Sequence, residues 1–203
     1  MKKLLLILLC FPLLIYSQKE EQVVVKYSVD YKLPLMKRML KKTLPKSYIA
    51  YYSENAYRVE FISSFSMLGM KIKIDGLQIN DYNQLKSLTM LSMIVEKETE
   101  ANDTTEHILK EIFIDTISKI TYTEEEKTIL GNKCVGFIFE NEDSKMEGFL
   151  TTSYSAIGAI IDGMDYGLPM YLKEYDKKEK ITELLTVESI DIEPLKESYY
   201  IIE

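Results

Sequence analysis

Alternating apolar and polar residues run through most of the chain and predict β-strands. Tyr57, Val59 and Phe61 share one side of such a stretch, and Arg58 and Glu60 share the other. A period of two is typical of a strand with one buried face. Few helical stretches interrupt this pattern, which predicts a mainly β, α+β fold built on a meandering antiparallel sheet. The alternating stretches predict eleven or so short strands, and the stretches themselves lie at residues 23–31, 47–52, 56–62, 70–74, 77–79, 85–96, 117–122, 127–130, 133–140, 145–152, 170–175 and 181–192.

Short polar breaks between these stretches predict turns. Residues 53–55 predict the turn of a hairpin between two tyrosine-rich strands. Ile72 and Ile74 alternate with lysines in a further strand, and the dipeptide Asp75-Gly76 predicts the tight turn that ends it. The acidic run at 124–126 predicts another exposed turn.

One basic amphipathic stretch, residues 33–45, predicts a helix. Its basic residues fall mostly on one side, a proline stands near each end, and its apolar residues recur at helical spacing. Such a helix either packs its apolar face on the sheet of its own domain or lies on a membrane surface. Weaker helical patterns occur at 102–112 and 154–164. The apolar residues of the main stretch are Met36, Met39, Leu40 and Leu44.

The first seventeen residues have the pattern of a cleaved signal peptide. Lys2 and Lys3 precede an apolar run that is shorter than the about 20 residues needed to span a membrane. The small residue Ser17 stands at the cleavage position. We therefore expect residues 18–203 to form one exported domain, with no transmembrane segment after cleavage.

The net charge limits the classes of partner that the chain can bind, and the cysteine content bears on its reactivity. The net charge is −7, and it becomes more negative when Lys2 and Lys3 are removed. This balance disfavours nucleic acid and anionic lipid as general partners, although it leaves room for a local basic patch. Removal of Cys10 leaves Cys134 alone, and its strand-like neighbours predict a buried thiol rather than a reactive one.

No catalytic or metal-binding constellation is visible in the sequence. His107 has no second histidine, and the chain lacks a phosphate loop, a nucleophile elbow and a dinucleotide fingerprint. Residues three apart on a strand point to opposite faces, so the pairs Met67/Met70 and Met90/Met93 predict no site for a soft metal. We expect neither an enzyme nor a protein with a metal or cofactor.

Short motifs in the second half of the chain resemble a known group. Together with the signal peptide, helix and tyrosine-rich hairpin, they are similar to the LolA-like bacterial envelope proteins, and most similar to exported families of the GLPGLI type. The chain departs from their pattern because it has no tryptophan, with Phe149 as the nearest aromatic residue, and because GLPGLI is reduced to GLPMYL. The motif residues are Gly131, Lys133, Cys134, a threonine at 151 or 152, Gly167, Leu168 and Pro169.

The resemblance implies a curved antiparallel half-barrel with helices over its concave face. It implies an apolar cavity in those relatives that carry lipoproteins or lipids. It also implies a place in the periplasm or at the outer membrane of a Gram-negative bacterium. It transfers no catalytic residue.

These observations leave two functions open. The first is a non-enzymatic envelope protein that binds a lipid or acyl chain between the concave sheet and the helix at 34–45. The second is a protein–protein interaction or sensing module of the envelope, whose core is filled by its own side chains. A lined cavity of several hundred Å³ favours the first, and a closed core favours the second. The candidate ligand-binding residues are Met36, Met39, Leu40, Tyr57, Val59, Phe61, Ile72 and Ile74.

Overall fold

The computed structural model describes residues 21–84, 86–96, 98–108, 120–154 and 167–201. These residues contain eleven strands that form one antiparallel sheet, in the order β6-β5-β4-β3-β2-β1-β11-β10-β9-β8-β7. The sheet is curved and not closed, since β6 and β7 lie at its two edges. The prediction of a mainly β half-barrel is confirmed. The strands are β1 Glu21–Lys32, β2 Ser47–Tyr52, β3 Ala56–Met67, β4 Met70–Asp81, β5 Lys86–Val95, β6 Glu98–Ile108, β7 Ile120–Ile129, β8 Asn132–Glu140, β9 Ser144–Thr151, β10 Leu168–Asp176 and β11 Ile181–Pro194.

The first and last of these strands lie side by side at the middle of the sheet. β1 pairs with β11 from Glu21 opposite Pro194 to Lys32 opposite Thr182, with a register shift between Lys26 and Tyr27. On its other side β1 pairs with β2. Each remaining strand then pairs with the strand before or after it in the chain, which is the meander that the hydrophobic pattern predicts.

The main core lies on one face of the central strands, here called the core face. Alternate residues of β1 are buried on it, and their neighbours along the strand point to the other side. Cross-strand pairing places residues of β2, β3, β10 and β11 on the same face. Because these side chains pack against one another in one cluster, the middle of the half-barrel is filled by the protein itself. The cluster includes Val25, Tyr27, Val29, Ala50, Tyr52, Tyr57, Leu172 and Leu185.

Buried tyrosine hydroxyls are satisfied inside this core. Tyr27, which is fully buried, donates its hydroxyl hydrogen to the carbonyl oxygen of Pro169, 3.0 Å away. The hydroxyl oxygen of Tyr52 lies 3.2 Å from the hydroxyl oxygen of Tyr27. A buried hydroxyl without a partner destabilises a fold by about 1–3 kcal/mol, so these contacts make it possible to bury tyrosine at the centre of the sheet.

The prediction of a tight turn at Asp75-Gly76 is wrong. β4 continues through Gly76, and the chain reverses instead at Leu68 and Gly69, between the paired residues Met67 and Met70. Gly76 stands opposite Phe61, and a Cβ atom at Gly76 would lie only 2.1 Å from the Phe61 ring. Glycine is therefore required there for packing, because the aromatic ring of the neighbouring strand covers it.

Two further predictions fail in the outer strands. Over its described part the stretch 102–112, predicted to be helical, belongs to β6, which pairs with β5. The acidic run at 124–126 lies within β7, where the register shifts between Tyr122 and Glu126, and does not form a separate turn. Strand pairing therefore overrides the local helical and turn preferences of both stretches.

Some predictions lie outside the described residues. They are the signal peptide at 1–17, the start of the strand at 117–122 and all but the first residue of the helix at 154–164. Within the described part of the chain, no helix is long and apolar enough to cross a membrane.

Candidate functional site

The amphipathic stretch forms a 3-10 helix, Leu35–Lys42, and its apolar side chains point to solvent. Met36 is 95% exposed and Met39 is 88% exposed, and Leu35 and Leu40 are exposed as well. With three residues per turn, Met36 and Met39 lie one above the other along the helix. Of the two interpretations of this stretch, the one in which its apolar face packs on the sheet of its own domain is therefore wrong for these residues.

Two ion pairs join the 3-10 helix to the domain. Lys37 pairs with the Glu179 carboxylate in the turn between β10 and β11. The Nζ atom of Lys41 lies 2.6 Å from Oδ1 of Asp30 in β1, and this hydrogen bond lowers the pKa of Asp30. Lys37 and Lys41 thus contact the domain, while Met36 and Met39 face outward.

The chain turns inward immediately after the 3-10 helix. Leu44 is half-buried against the core cluster and Pro45 is buried. The Ser63 hydroxyl donates a hydrogen bond of 2.6 Å to the carbonyl oxygen of Thr43, which ties this turn to β3. Residues 43–45 therefore cover one end of the core face.

A cavity of about 350 Å³ lies beneath this turn. Its volume falls within the about 300–1,000 Å³ that is usual for small-molecule sites. One part of its wall is apolar or aromatic and another carries carboxyl groups. The lining residues are Tyr31, Leu44, Pro45, Tyr48, Phe61, Glu174, Asp176, Ile181 and Glu183.

Two glutamates face each other in this wall. Glu174 of β10 stands directly opposite Glu183 of β11, and Glu183 stands opposite Tyr31 of β1. Burial, followed by the repulsion from Glu183 and Asp176, raises the pKa of Glu174 to about 7. Two like charges directly opposite each other on a sheet repel. A proton bound to Glu174 near neutral pH therefore removes the repulsion between the two glutamates.

Tyrosine hydroxyls complete the polar side of the cavity. The hydroxyl oxygens of Tyr31 and Tyr48 lie 3.0 Å apart. Burial raises the pKa of Glu183, and a hydrogen bond from Tyr48 opposes that rise. Burial and the nearby charge of Glu183 raise the pKa of Tyr48 far above its usual value. The tyrosines therefore remain hydrogen-bond donors throughout the physiological pH range.

The structure separates the predicted ligand-binding residues. Phe61 lines the cavity, whereas Tyr57 and Val59, on the same face of β3, belong to the filled core. Ile72 and Ile74 share the core face with them, since they pair with Phe65 and Ser63. Met36, Met39 and Leu40 are on the outside of the 3-10 helix.

Ile72 also lines a different cavity, of about 640 Å³, near the tip of the β3–β4 hairpin. A further cavity of about 570 Å³ runs along β3 to β6. Both are larger than the cavity beneath residues 43–45. We regard the smaller one as the candidate site because it combines apolar walls with titratable groups of perturbed pKa.

The carboxyl groups of the cavity were not among the residues predicted from the sequence to bind a ligand. Glu174 lies two residues after Leu172, and Glu183 lies two residues before Leu185, so both glutamates share the core face with these buried leucines. A glutamate at an inward position of an apolar strand is the signal that identifies them, since such a position normally carries an apolar residue.

The motif residues of the resemblance serve the fold. Gly131 adopts a φ of +79° in the turn between β7 and β8. Gly167 adopts a φ of +134°, and a Cβ atom there would lie 2.3 Å from the carbonyl oxygen of Thr151. Leu168 is fully buried, and the carbonyl oxygen of Pro169 accepts the Tyr27 hydrogen bond. Cys134 is buried as predicted, whereas Lys133 is exposed.

The described residues contain no group of three or more His, Cys, Asp or Glu side chains placed to hold a metal ion. The prediction that Met67 and Met70 point to opposite faces is wrong. Met67 and Met70 flank a two-residue turn and stand directly opposite each other, so they share a face. Met90 and Met93 lie within one strand, β5, and point to opposite faces as expected.

No family model matches the sequence, and the comparison with curated proteins finds no match. Among solved structures, the chain is similar to PNGF-II in two crystal forms. One superposition has a TM-score of 0.55 and 11% identity over 89% of this chain and 29% of that one. The other has a TM-score of 0.54 and 10% identity over 90% and 30%. This chain thus spans less than a third of PNGF-II, and the likeness shows the fold alone.

A lower similarity links the chain to a β-barrel-like protein of a domain of unknown function, DUF1849, from Brucella abortus. Its TM-score is 0.42 with 8% identity over 87% of this chain and 98% of that one, which supports no functional inference. The observed half-barrel is consistent with the LolA-like resemblance at the level of fold. Membership of that group stays a prediction.

Proposed function

We propose that this protein is a non-enzymatic binding protein of the bacterial cell envelope, which holds the apolar part of a small ligand beneath residues 43–45. The observation that carries the proposal is the cavity of about 350 Å³ at the end of the core face. Leu44, Phe61 and Ile181 give it an apolar wall. Apolar walls with a few polar groups are the usual composition of a ligand site.

The polar wall limits the head group of the ligand. Glu174, Asp176 and Glu183 contribute three carboxyl groups, and no lysine or arginine is among the described lining residues. A carboxylate head would be repelled there. We therefore propose an acyl or alkyl chain whose head is neutral or cationic and donates hydrogen bonds.

Calorimetric titration with three amphiphiles of equal chain length tests this proposal: a monoacylglycerol, an alkylamine and a fatty acid. We expect the monoacylglycerol and the alkylamine to bind at pH 7.5 and the fatty acid to bind at least about tenfold more weakly. The reason is that a buried contact between like charges makes the free energy of binding less favourable by about 1.4 kcal/mol or more. Binding of the fatty acid alone would contradict the assigned head group.

Matched tryptophan variants locate the binding site. Ile181→Trp fills the cavity, whereas Ile192→Trp places the same side chain at an exposed position of the same strand. We expect the first to abolish binding of the monoacylglycerol and the second to leave it unchanged. If wild type binds none of the three amphiphiles, the carrier proposal fails.

The second candidate is an interaction module of the envelope. The observation that favours it is the filled centre of the core face, where Tyr27, Tyr52 and Val25 are fully buried. The titrations separate the two candidates, because an interaction module binds none of the amphiphiles.

Export is part of the proposal. The charged, apolar and small residues of the first seventeen positions support it. Mass analysis of the protein from the envelope fraction should find an N-terminus within about two residues of Gln18. An envelope form that begins at Met1 would contradict cleavage.

A further inference from the structure

None of the residues of the exposed 3-10 helix, Leu35–Lys42, lines the cavity. An amphipathic stretch normally buries its apolar side and exposes its charges. Here Lys37 and Lys41 are paired with the domain, whereas Leu35, Met36, Met39 and Leu40 project into solvent. Neighbouring exposed apolar side chains of this kind mark a surface that contacts something else.

The charge around these side chains identifies the kind of partner. Residues 32–46 contain six basic residues and no acidic one, in a chain whose net charge is −7. Arg38 and Lys42 are exposed beside the apolar side chains. The surface therefore combines flexible apolar groups with a local positive charge, which is the composition of segments that lie at the interface of anionic membranes.

A second copy of the chain fits this surface poorly. A symmetric dimer would bring the same segment of each copy together. The basic residues of the two segments would then face each other and repel. An anionic bilayer accepts both components at once, since its phosphates attract the cations and its acyl chains accept the methionines and leucines.

We propose that Leu35–Lys42 docks the protein on an anionic lipid bilayer. Leu35, Met36, Met39 and Leu40 enter the boundary between head groups and acyl chains, while Arg38 and Lys42 contact lipid phosphates. Lys37 and Lys41 pair with the domain, and the apolar side chains of the segment already point to solvent, so docking requires no rearrangement of the segment. This proposal does not depend on an occupied cavity.

The absence of tryptophan from the chain allows a direct test. Met39→Trp places a single fluorophore on the docking segment. Leu68→Trp is the matched control, because Leu68 is equally exposed at the tip of the β3–β4 hairpin. The protein is purified from cells that express the full chain, so any residual contribution of the first seventeen residues is the same in both variants.

Each variant is mixed with vesicles of phosphatidylglycerol and phosphatidylethanolamine that contain brominated acyl chains. We expect a blue shift and strong quenching for Met39→Trp and neither for Leu68→Trp. With phosphatidylcholine vesicles the partition coefficient of Met39→Trp should fall at least about tenfold, because each basic residue near an anionic surface contributes about 1 kcal/mol, or about fivefold.

Charge reversal completes the test. Adding Arg38→Glu and Lys42→Glu to Met39→Trp should weaken binding to anionic vesicles at least about tenfold, whereas adding Lys71→Glu, at an exposed site near Leu68, should not. The proposal is overturned by an unquenched Met39→Trp, by equal quenching of Leu68→Trp, or by equal binding to both kinds of vesicle. A blue shift that rises with protein concentration in the absence of vesicles would overturn it in favour of self-association.

Discussion

At the scale of single residues, Cys134 illustrates how position controls reactivity. Its side chain is 1% exposed and its thiol donates a hydrogen bond of 3.3 Å to the carbonyl oxygen of Asn132. Burial raises the pKa of the thiol, so the reactive thiolate is disfavoured.

We predict that Cys134 resists native labelling by a bulky maleimide in a Cys10→Ser background. Val135→Cys, combined with Cys134→Ser, should be labelled rapidly, because Val135 points to the other face of β8 and is exposed. Cys134→Ser should lower the free energy of unfolding by about 1–2 kcal/mol, since it places a hydroxyl in a buried site. Labelling of Cys134 at the rate of the control would contradict its burial.

A second residue-scale prediction concerns Gly76. Gly76→Ala places a Cβ atom 2.1 Å from the end of the Phe61 ring, so this ring must shift. We expect a loss of about 1–3 kcal/mol in the free energy of unfolding, as for other overpacked sites. Adding Phe61→Ala should remove most of this penalty in a double-mutant cycle.

Gly148→Ala is the control for the double-mutant cycle of Gly76 and Phe61. There a Cβ atom would lie 2.2 Å from the backbone carbonyl oxygen of Tyr171, so no side-chain truncation can relieve it. Phe137→Ala, which removes the nearest ring, should therefore leave the penalty of Gly148→Ala unchanged. Equal relief at both glycines would show that the Phe61 contact is not what requires glycine at position 76.

At the scale of elements, two hairpins turn through leucine at an unfavourable backbone angle. Leu68 and Leu130 have φ values of 52° and 48°, and a glycine with positive φ follows each of them. Asparagine and glycine are the usual residues of such two-residue turns. This mismatch explains why the turn at Leu68-Gly69 gave no clear signal in the sequence, whereas Asp75-Gly76 gave a misleading one.

We predict that Leu68→Asn and Leu130→Asn each raise the free energy of unfolding by about 0.5–1 kcal/mol, since asparagine tolerates positive φ better than leucine does. Chemical denaturation of the single and double variants measures the effect. Met67→Asn, in the adjoining strand, is the control and should not stabilise the protein. No gain at either turn would indicate that other contacts of these leucines outweigh the backbone strain.

At the scale of the whole molecule, the Glu174–Glu183 pair couples stability to pH. The pKa of Glu174 is raised from 4.5 in the unfolded chain to about 7, and that of Glu183 is also raised. The folded protein therefore binds protons that the unfolded chain releases. This contribution to stability is complete below about pH 4.5 and is lost as the pH rises through about 7.

We predict that the free energy of unfolding is greater at pH 5 than at pH 8, by about 2 kcal/mol from Glu174. Glu174→Gln should remove most of this difference. Glu147→Gln is the control, because a hydrogen bond from Lys173 lowers the pKa of Glu147 and keeps its titration below this pH window. A wild-type stability that rises from pH 5 to pH 8 would contradict the assignment.

Sequence and structure agree on the fold but only partly on the site. The alternation of Tyr57, Val59 and Phe61 placed them correctly on one face of β3, because a period of two depends only on strand geometry. The orientation of the 3-10 helix could not be predicted in the same way. It involves ion pairs with Asp30, in the preceding strand, and with Glu179, which is distant in sequence and reaches the segment only through the sheet.

The pairing of β1 with β11 also determines the order in which the protein can assemble. β1 is the first described strand to be synthesised and β11 the last, yet they are neighbours at the centre of the sheet. Their pairing encloses nearly the whole described chain in one loop, and contacts of such long range slow folding. Until β11 arrives, β1 presents an unpaired edge that other chains can join. The kinetics of folding, and the risk of aggregation during it, are therefore governed by the release of the last strand.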